Sequence, residues 1–418
     1  RLAHEFAQAA PAASIDAGWR GGFGNQYANS GETARALVIF NTLLGCWNQE
    51  GGALLTSGVS AGKLDETKFP PVPKVEAKKA GSEEYPLASA GMGVNIHAAS
   101  LAKEGKIKGM FFYNSNMVAG YSNPAYMQEC LDALELCVVV DVQMSETALC
   151  ADYVLPECSY LERLEIPVFN GGKVPSVSLR DKVLDVIHPN TLPVDQIFSG
   201  LAEACGVGQY FPFTVEELAD AQLKTVGLSL DELRKVGTVE FPEKAFVYGQ
   251  TPKWKTPSGK IQFTSEACEK AGLPASPGWL EPLVMPGEGE FRLIGGKQSI
   301  HTHTQTANVD TLMAISKQYG LERAWLNADA AAKLGIADND EIEITSSEFT
   351  GKVRVKVTQL IEPTSLYVPS HYGRNVAEQR IANGVGVAQM DFVPFHVEPG
   401  YGGTMSQEVI VTVKKAGA

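Results

Sequence analysis

The spacing of apolar and polar positions changes along the chain, and each change predicts an element. "KGMFFYNSN" (108–116) reads as a buried strand that ends in polar residues. Asn123 then offers an N-cap and Pro124 a first helical residue, after which Met127, Cys130, Leu131 and Leu134 share one helical face. "LCVVVDV" (136–142) is a second apolar strand. Strand, helix and strand in so short a span predict a βαβ unit with parallel strands, apolar throughout because both sheet faces are covered. Upstream, "ARALVIFNTLLGCW" (34–47) is apolar at helical spacing and predicts a helix from about Glu32, stopped by Gly45 and the pair Gly51-Gly52. Residues 195–207 and 214–236 also read as helical.

From Glu290 the period falls to two. "FRLIGG", "EIEITS", "GKVRVKVTQ", "TSLYVPSHYG" and "EVIVTVKK" read as strands. One short helix, "NADAAAKLG", interrupts them, with Asn327 or Asp329 at its cap and Gly335 at its stop. A small β-barrel is the expected form. The expected organisation is the end of an α/β domain with a Gly-rich loop and helix (1–56), an extended loop and connection (57–106), an α/β dinucleotide-binding domain (107–207), a loop-rich connection (208–289) and the barrel (290–418).

Composition narrows the classes. A chain of 418 residues exceeds one hydrophobic core, and its 44% hydrophobic and 20% charged residues are those of a globular protein. No run of about 18 apolar residues is present to form a transmembrane segment. A net charge of −13 repels phosphate backbones and argues against a nucleic-acid partner. The seven cysteines include no C-x-x-C pair, so no zinc-ribbon or iron–sulfur spacing occurs, and most read as buried thiols. The first residues, "RLAHEFAQAAPAAS", lack the order of a signal peptide and read as the middle of a helix in a longer protein.

Four stretches carry candidate chemistry. "YNSN" (113–116) and "VVDVQMSET" (139–147) place Asn114, Ser115, Asn116, Asp141 and Thr147 past the carboxyl ends of neighbouring parallel strands, where open α/β sheets bind ligands. The competing reading is that they satisfy their own turns. "GGFGNQ" (21–26) fails as a dinucleotide fingerprint because its third glycine is absent. Arg163, after "DYVLP", is either a phosphate clamp or an ion-pair partner. "GGKQSIHTHTQTAN" (295–308) supports three readings. Gly295, Gly296 and Lys297 with the following hydroxyls and imidazoles suit an anion cradle. If extended, the segment puts His301 and His303 on one face, where they could bind zinc with His371 or His396. The third reading is a solvated strand edge.

In this order the pieces resemble the molybdopterin oxidoreductases of the dimethyl sulfoxide reductase superfamily, most of all the catalytic subunits of polysulfide and thiosulfate reductases. The resemblance rests on "ARALVIFNTLLGCWNQEGG" (34–52), on "VVVDVQMSETALCADYVLPECSYLER" (138–163) and on "LIGGKQSIHTHTQTAN" with "LNADAAAKLGIADNDEIEITS" and "LYVPSHYG". It implies Rossmann-like parallel-sheet domains followed by a C-terminal barrel of the double-psi type. It implies molybdenum (or tungsten) held by two molybdopterin guanine dinucleotides, with the protein orienting and tuning that cofactor. Carried over by position, Asn116 and Asp141 would contact one dinucleotide, Asp141 at the guanosine end. Arg163 would meet the nucleotide, and Asp195 in "PVDQIF" would bind guanine. Gly295, Gly296, Lys297, His301, Thr302, His303 and Thr304 would run along the pterins and diphosphate. Lys297 stands where relatives often have Arg, which keeps the charge and loses the bidentate fork. Asn375 or Asn383 matches a late pterin-contacting Asn.

Two family elements find no match here: the cysteines of a [4Fe–4S] cluster and the side chain that ligates the metal. The expectation is a C-terminal portion of a catalytic subunit, without turnover alone and with no metal ligand of its own. The implied substrate is polysulfide, thiosulfate or a related inorganic or small organic compound. Arsenate, tetrathionate and phenolic substrates belong to the same branch, and a non-catalytic cofactor-binding module is the alternative of a different class. The resemblance also implies an iron–sulfur electron-transfer subunit, a membrane anchor, and a place in the periplasm or on the outer face of the cytoplasmic membrane.

Overall fold

The computed structural model describes residues 1–16, 26–76, 79–88 and 94–417. The stretch "GGFGNQ" lies outside them except for Gln26. The chain folds into two units, each assembled from three segments. The first comprises Arg1–Asp16, Ile39–Ala77 and Leu155–Ile261, and the second Ala17–Val38, Lys78–Val154 and Gln262–Ala418.

The βαβ topology holds, but the first strand is not covered on both faces: only Phe112 is buried, while Phe111 is 42% and Tyr113 37% exposed. Strands β1 (Gly109–Tyr113) and β2 (Leu136–Asp141) pair in parallel, Gly109 opposite Leu136 and Tyr113 opposite Val140, and β3 (Tyr153–Pro156) follows β2 in the sheet. Between β1 and β2, helix Pro124–Asp132 starts as the sequence predicts: the Asn123 side chain accepts from the Tyr126 amide, and Pro124 sits in the first turn. The helix buries Met127, Cys130 and Leu131 against Phe112, Cys137 and Val139 of the strands. Full burial of such side chains contributes roughly 1.5–3 kcal/mol each.

In the first unit, β4 (Val168–Asn170), β5 (Ser176–Ser178) and β6 (Thr238–Glu240) form an antiparallel sheet that the sequence did not announce. Each strand is only three residues long, so a period of two has no room to show. Helices Val215–Lys224 and Leu230–Val236 lie where one helical stretch was expected. Capping boxes, Thr214 with Glu217 and Ser229 with Glu232, start each of them. Leu223, Leu230 and Leu233 close this core with Val177 and Phe241.

The barrel is closed and six-stranded, in the order β10-β8-β11-β7-β12-β9. Its strands are β7 (Glu290–Gly296), β8 (Ala324–Asn327), β9 (Glu341–Thr345), β10 (Thr350–Thr358), β11 (Ser365–Pro369) and β12 (Ile410–Lys415). Leu293, Leu326, Ile342, Ile344, Val355 and Leu366 fill it, all fully buried. The helix Ala328–Lys333 is capped by Asn327, which accepts from Asp329 and Ala330. Strand β8 and a second helix, Asp310–Tyr319, escaped the sequence reading. The helix has no side-chain cap and buries only Met313 and Ser316, so its period is faint. β11 runs parallel to β7, with Pro369 opposite Gly296, which sets the loop after β11 beside the loop after β7.

Candidate functional site

Four of the sequence-predicted positions, Asn114, Asn116, Asp141 and Thr147, lie in the second unit at the turns that end its strands. Asn114 adopts a left-handed conformation (φ 51°) at the end of β1 and turns the chain into Asn116. The Asn116 amide donates to Glu146 Oε2 at 2.8 Å, and its Oδ1 accepts from the Thr147 hydroxyl at 3.0 Å. At the end of β2, Asp141 is buried. Its Oδ1 accepts from the Val142 amide at 2.7 Å and from Gln305 Nε2 at 2.9 Å, and its Oδ2 from the Ser145 hydroxyl at 3.3 Å. Burial pushes its carboxyl up, opposed by these donors. Gln305 ties the segment after β7 to the strand end, and Asn308 adds a contact to Gln143 at 3.4 Å.

The segment after β7 is not an extended strand, and this corrects the zinc geometry. His301 is wholly buried while His303 is exposed, so the two imidazoles do not share a face. Among the described residues no group of three or more His, Cys, Asp or Glu side chains could hold a metal ion. His301 Nε2 meets Ser316 Oγ at 3.0 Å, and Ser316 Oγ bonds the buried Tyr372 hydroxyl. The His301 and Tyr372 rings stand edge-on with centroids 4.9 Å apart. Lys297 and Thr302 are exposed, and Thr304 opens a 3-10 turn, Thr304–Asn308. The glycine pair is explained differently from the expectation. A Cβ on Gly295 would run into the Gln389 amide, whereas one on Gly296 would only touch Tyr367 at 3.5 Å. Gly295 therefore serves a close side-chain packing, and the Gly296 carbonyl accepts from the Tyr367 hydroxyl at 2.9 Å.

The parallel pairing of β7 with β11 brings in residues that sequence reasoning missed. His371 sits at the end of β11 with φ 77°, a left-handed conformation uncommon for histidine. Its Nε2 is buried without a hydrogen-bond partner. Burial first, then the charges of Arg374, Lys297, His303 and His301, hold its pKa down at about 4. Arg374 is 4% exposed and lies 3.2 Å from Glu146 Oε1, yet its Nε and Nη1 make no hydrogen bond. Asp391 faces the same guanidinium, and burial pushes its carboxyl up to about 6. Asn116, Glu146, Arg374, His371 and Lys297 thus form one connected polar constellation. Sequence spacing gave Asn116, Lys297 and, as a candidate zinc ligand, His371, but neither Glu146 nor Arg374; the register between β7 and β11 is what brings the loop carrying His371 and Arg374 beside the loop after β7.

Arg163 and Asp195 belong to the first unit and present another picture. The Arg163 guanidinium is engaged by Glu157 and, through Nε and Nη2 at 2.7 Å each, by Glu165. Glu165 also takes Arg180 at 2.7 Å. Arg163 and Asp195 line one cavity of about 950 Å³. Asp195 stands in the first turn of helix Val194–Ala204, its carboxyl pushed up by burial.

A parallel sheet with polar strand ends, joined to a barrel whose loops converge cationic side chains, defines an α/β–barrel protein of the dinucleotide-cofactor-binding class. Comparison with known proteins makes this specific. Residues 12–186 match the molybdopterin oxidoreductase family and residues 291–404 the molydopterin dinucleotide binding domain. The chain belongs to the molybdopterin oxidoreductases, of the dimethyl sulfoxide reductase type. It is 28% identical to the molybdopterin-containing subunit of thiosulfate reductase from Salmonella typhimurium, over 100% of this chain and 59% of the relative. It is 29% identical to the dimethyl sulfoxide/trimethylamine N-oxide reductase of Cereibacter sphaeroides, over 63% of this chain and 35% of that protein. Among solved structures, acetylene hydratase from Pelobacter acetylenicus shares the fold, with a TM-score of 0.72 and 18% identity over 93% of this chain and 59% of that one. The chain thus spans about three-fifths or less of these relatives.

Proposed function

We propose that this chain binds a molybdopterin guanine dinucleotide along Lys297–Thr304, His371 and the ends of β1 and β2, as part of a molybdenum oxidoreductase that reduces thiosulfate, polysulfide or a related sulfur compound. One observation carries the cofactor reading: the buried, unpartnered His371 Nε2 amid Arg374, Lys297, His303 and His301. Like charges crowd here, and buried polar atoms without partners cost about 1–3 kcal/mol each unless a ligand satisfies them. A diphosphate supplies both the negative charge and the acceptors, so the residues present fit the group. Glu146 and Asp391 face Arg374. The acceptor set of Asp141 and the amide of Asn116 suit the sugar end.

When bound, the molybdenum centre supplies atom transfer coupled to a two-electron redox change. The chain's residues hold and orient it: His371 and Lys297 at the phosphates, the His301–Ser316–Tyr372 chain fixing the loop, and Gln305 locking that loop to Asp141. The sulfur substrate is supported by the thiosulfate reductase relative, aligned over the whole chain. An iron–sulfur partner subunit, a membrane anchor and a periplasmic location belong to the same reading. No helix among the described residues is long and apolar enough to cross a membrane.

The test is release of the cofactor. Protein purified from a host that makes the dinucleotide is denatured in acid, and oxidised-pterin fluorescence and molybdenum are measured. Both are expected in the unsubstituted protein and reduced together by His371→Phe. A protein with neither sinks the reading.

A further inference from the structure

A cavity of about 570 Å³ lies wholly within the first unit, between the loop 62–69 and helix Val215–Lys224. Leu64, Phe69, Pro212, Phe213 and Ala221 form its apolar side. The rings of Phe69 and Phe213 are half-buried, with centroids 5.0 Å apart and planes tilted by 51°. The loop is fixed from both ends. The Gly62 amide donates to the Thr225 hydroxyl at 2.8 Å, and the Phe69 amide donates to the Asp65 carbonyl at 2.9 Å.

The polar lining is engaged from within except at two places. Asp65 accepts from the Thr67 amide at 3.0 Å and hydroxyl at 2.7 Å. Glu217 accepts from the Thr214 amide at 2.8 Å and hydroxyl at 3.1 Å. Asp220 holds Lys224 at 2.5 Å and accepts from the Leu230 amide at 3.0 Å. The Thr225 hydroxyl, besides accepting from Gly62, donates to the Gln222 carbonyl. The ammonium groups of Lys63 and Lys68 remain, and among the described residues neither forms an ion pair. The lining thus offers donors and positive charge, not acceptors. Three carboxylates still balance its three lysines, so one negative charge is accommodated and a dianion is repelled. The apolar side, floored by two aromatic rings, suits a flat ring that adds an offset or edge contact. The volume is in the range of about 300–1,000 Å³ that small-ligand sites occupy.

We propose that this cavity binds a small aromatic monocarboxylate, its ring against Phe69 and Phe213 and its carboxylate at the ammonium groups of Lys63 and Lys68. The site is separate from the cofactor cradle, which is built from residues of the second unit, and it stands or falls without it.

Titration of 2-naphthoate with the 418-residue chain at low ionic strength, followed by the fluorescence anisotropy of the ligand, tests it. Saturation with a dissociation constant of about 1 mM or below is expected. 2-Naphthalenemethanol keeps the rings without the charge, and octanoate keeps the charge without the rings. Each, as a competitor, is expected to bind at least about threefold more weakly. The double variant Lys63→Gln, Lys68→Gln is expected to weaken 2-naphthoate binding about three- to tenfold, a difference that shrinks at high salt. Both lysines are exposed, so the variant keeps its fold and its melting temperature. No saturation up to about 5 mM overturns the proposal. So does equal binding of the alcohol or of octanoate, or an affinity unchanged in the double variant. Pyrophosphate, the probe of the cofactor cradle, is expected not to compete. If it displaces 2-naphthoate, the acid sits in the cradle and this cavity is not its site.

Discussion

Two arginines with little exposed surface, Arg163 and Arg374, sit in different surroundings. Arg163, in the first unit, is held by two carboxylates, Glu157 and Glu165, the latter through Nε and Nη2 at 2.7 Å each. Arg374, in the second, has one carboxylate at 3.2 Å and two nitrogens without hydrogen bonds, and beside it His371 Nε2 is equally unsatisfied. A buried cation whose partners are all protein groups is a structural tie. A buried cation left short of acceptors awaits a ligand. Both arginines look alike in the sequence, each set in a polar stretch after a strand.

The largest expected effect comes from breaking the satisfied one. Arg163→Met leaves Glu157, 6% exposed, as an uncompensated charge, and the loss of stability should be about 3–5 kcal/mol in a urea titration. Nucleotide and pyrophosphate affinity should not change. A loss of affinity without a loss of stability would reverse the comparison and make Arg163 the ligand contact.

The second effect is read by pH. His371 is held at about 4 in the folded chain against an ordinary value near 6.5. The unfolded chain therefore binds more protons between those values, and stability is lost as pH falls from about 6.5 towards 4, by up to about 3 kcal/mol. Asp391 works against it. Its folded value of about 6 exceeds its ordinary 3.8, so the folded chain binds more protons and stability rises as pH falls through the same window. In the unsubstituted chain the two slopes offset each other. Asp391→Asn should expose the His371 loss in acid, and His371→Gln the Asp391 gain, each measured as the difference in unfolding free energy from the unsubstituted chain at pH 4.5 and 7. If neither variant departs from the unsubstituted profile, the two groups are not buried against these charges.

How far the sequence reaches depends on distance along the chain. The βαβ unit, the Asn123 and Asn327 caps and five of the six barrel strands were legible, because periodicity, caps and turns are local signals. The candidate segment Gly295–Thr304 was found, and Gln305 was not assigned. The role of Arg374 was hidden because it depends on β11 pairing in parallel with β7 across a long intervening stretch. The burial of His301 was hidden too, since alternation in "IHTHT" suggests a strand while Ser316 and Tyr372 draw one imidazole inward. Three-residue strands such as β5 leave no pattern at all.

Gly295 sharpens the comparison at a smaller scale. Its missing Cβ is replaced by the Gln389 amide, which accepts from Ser370 at 3.1 Å. Gly295→Ala should cost about 1–3 kcal/mol through overpacking. Gly296→Ala, facing only an ordinary contact with Tyr367, should cost less than about 1 kcal/mol. Thermal melts of the two variants distinguish packing from close approach of a ligand: if Gly296→Ala is neutral in stability but weakens pyrophosphate binding, the second glycine is the one that admits the anion.

The smallest effect belongs to Lys297, the exposed cation of the cradle. Its ammonium acts on His371 through space and stands in high dielectric, so its attraction for a phosphate is modest and screened by salt. Lys297→Gln should weaken pyrophosphate binding about two- to fivefold at low ionic strength. The difference should shrink towards none at high salt, and the melting temperature should stay the same. Arg163→Met should leave the same salt curve untouched. If Lys297→Gln has no effect even at low salt, the anion does not reach the loop after β7. The cradle then narrows to the Arg374 guanidinium and the neutral imidazole of His371, whose buried nitrogens make no hydrogen bonds.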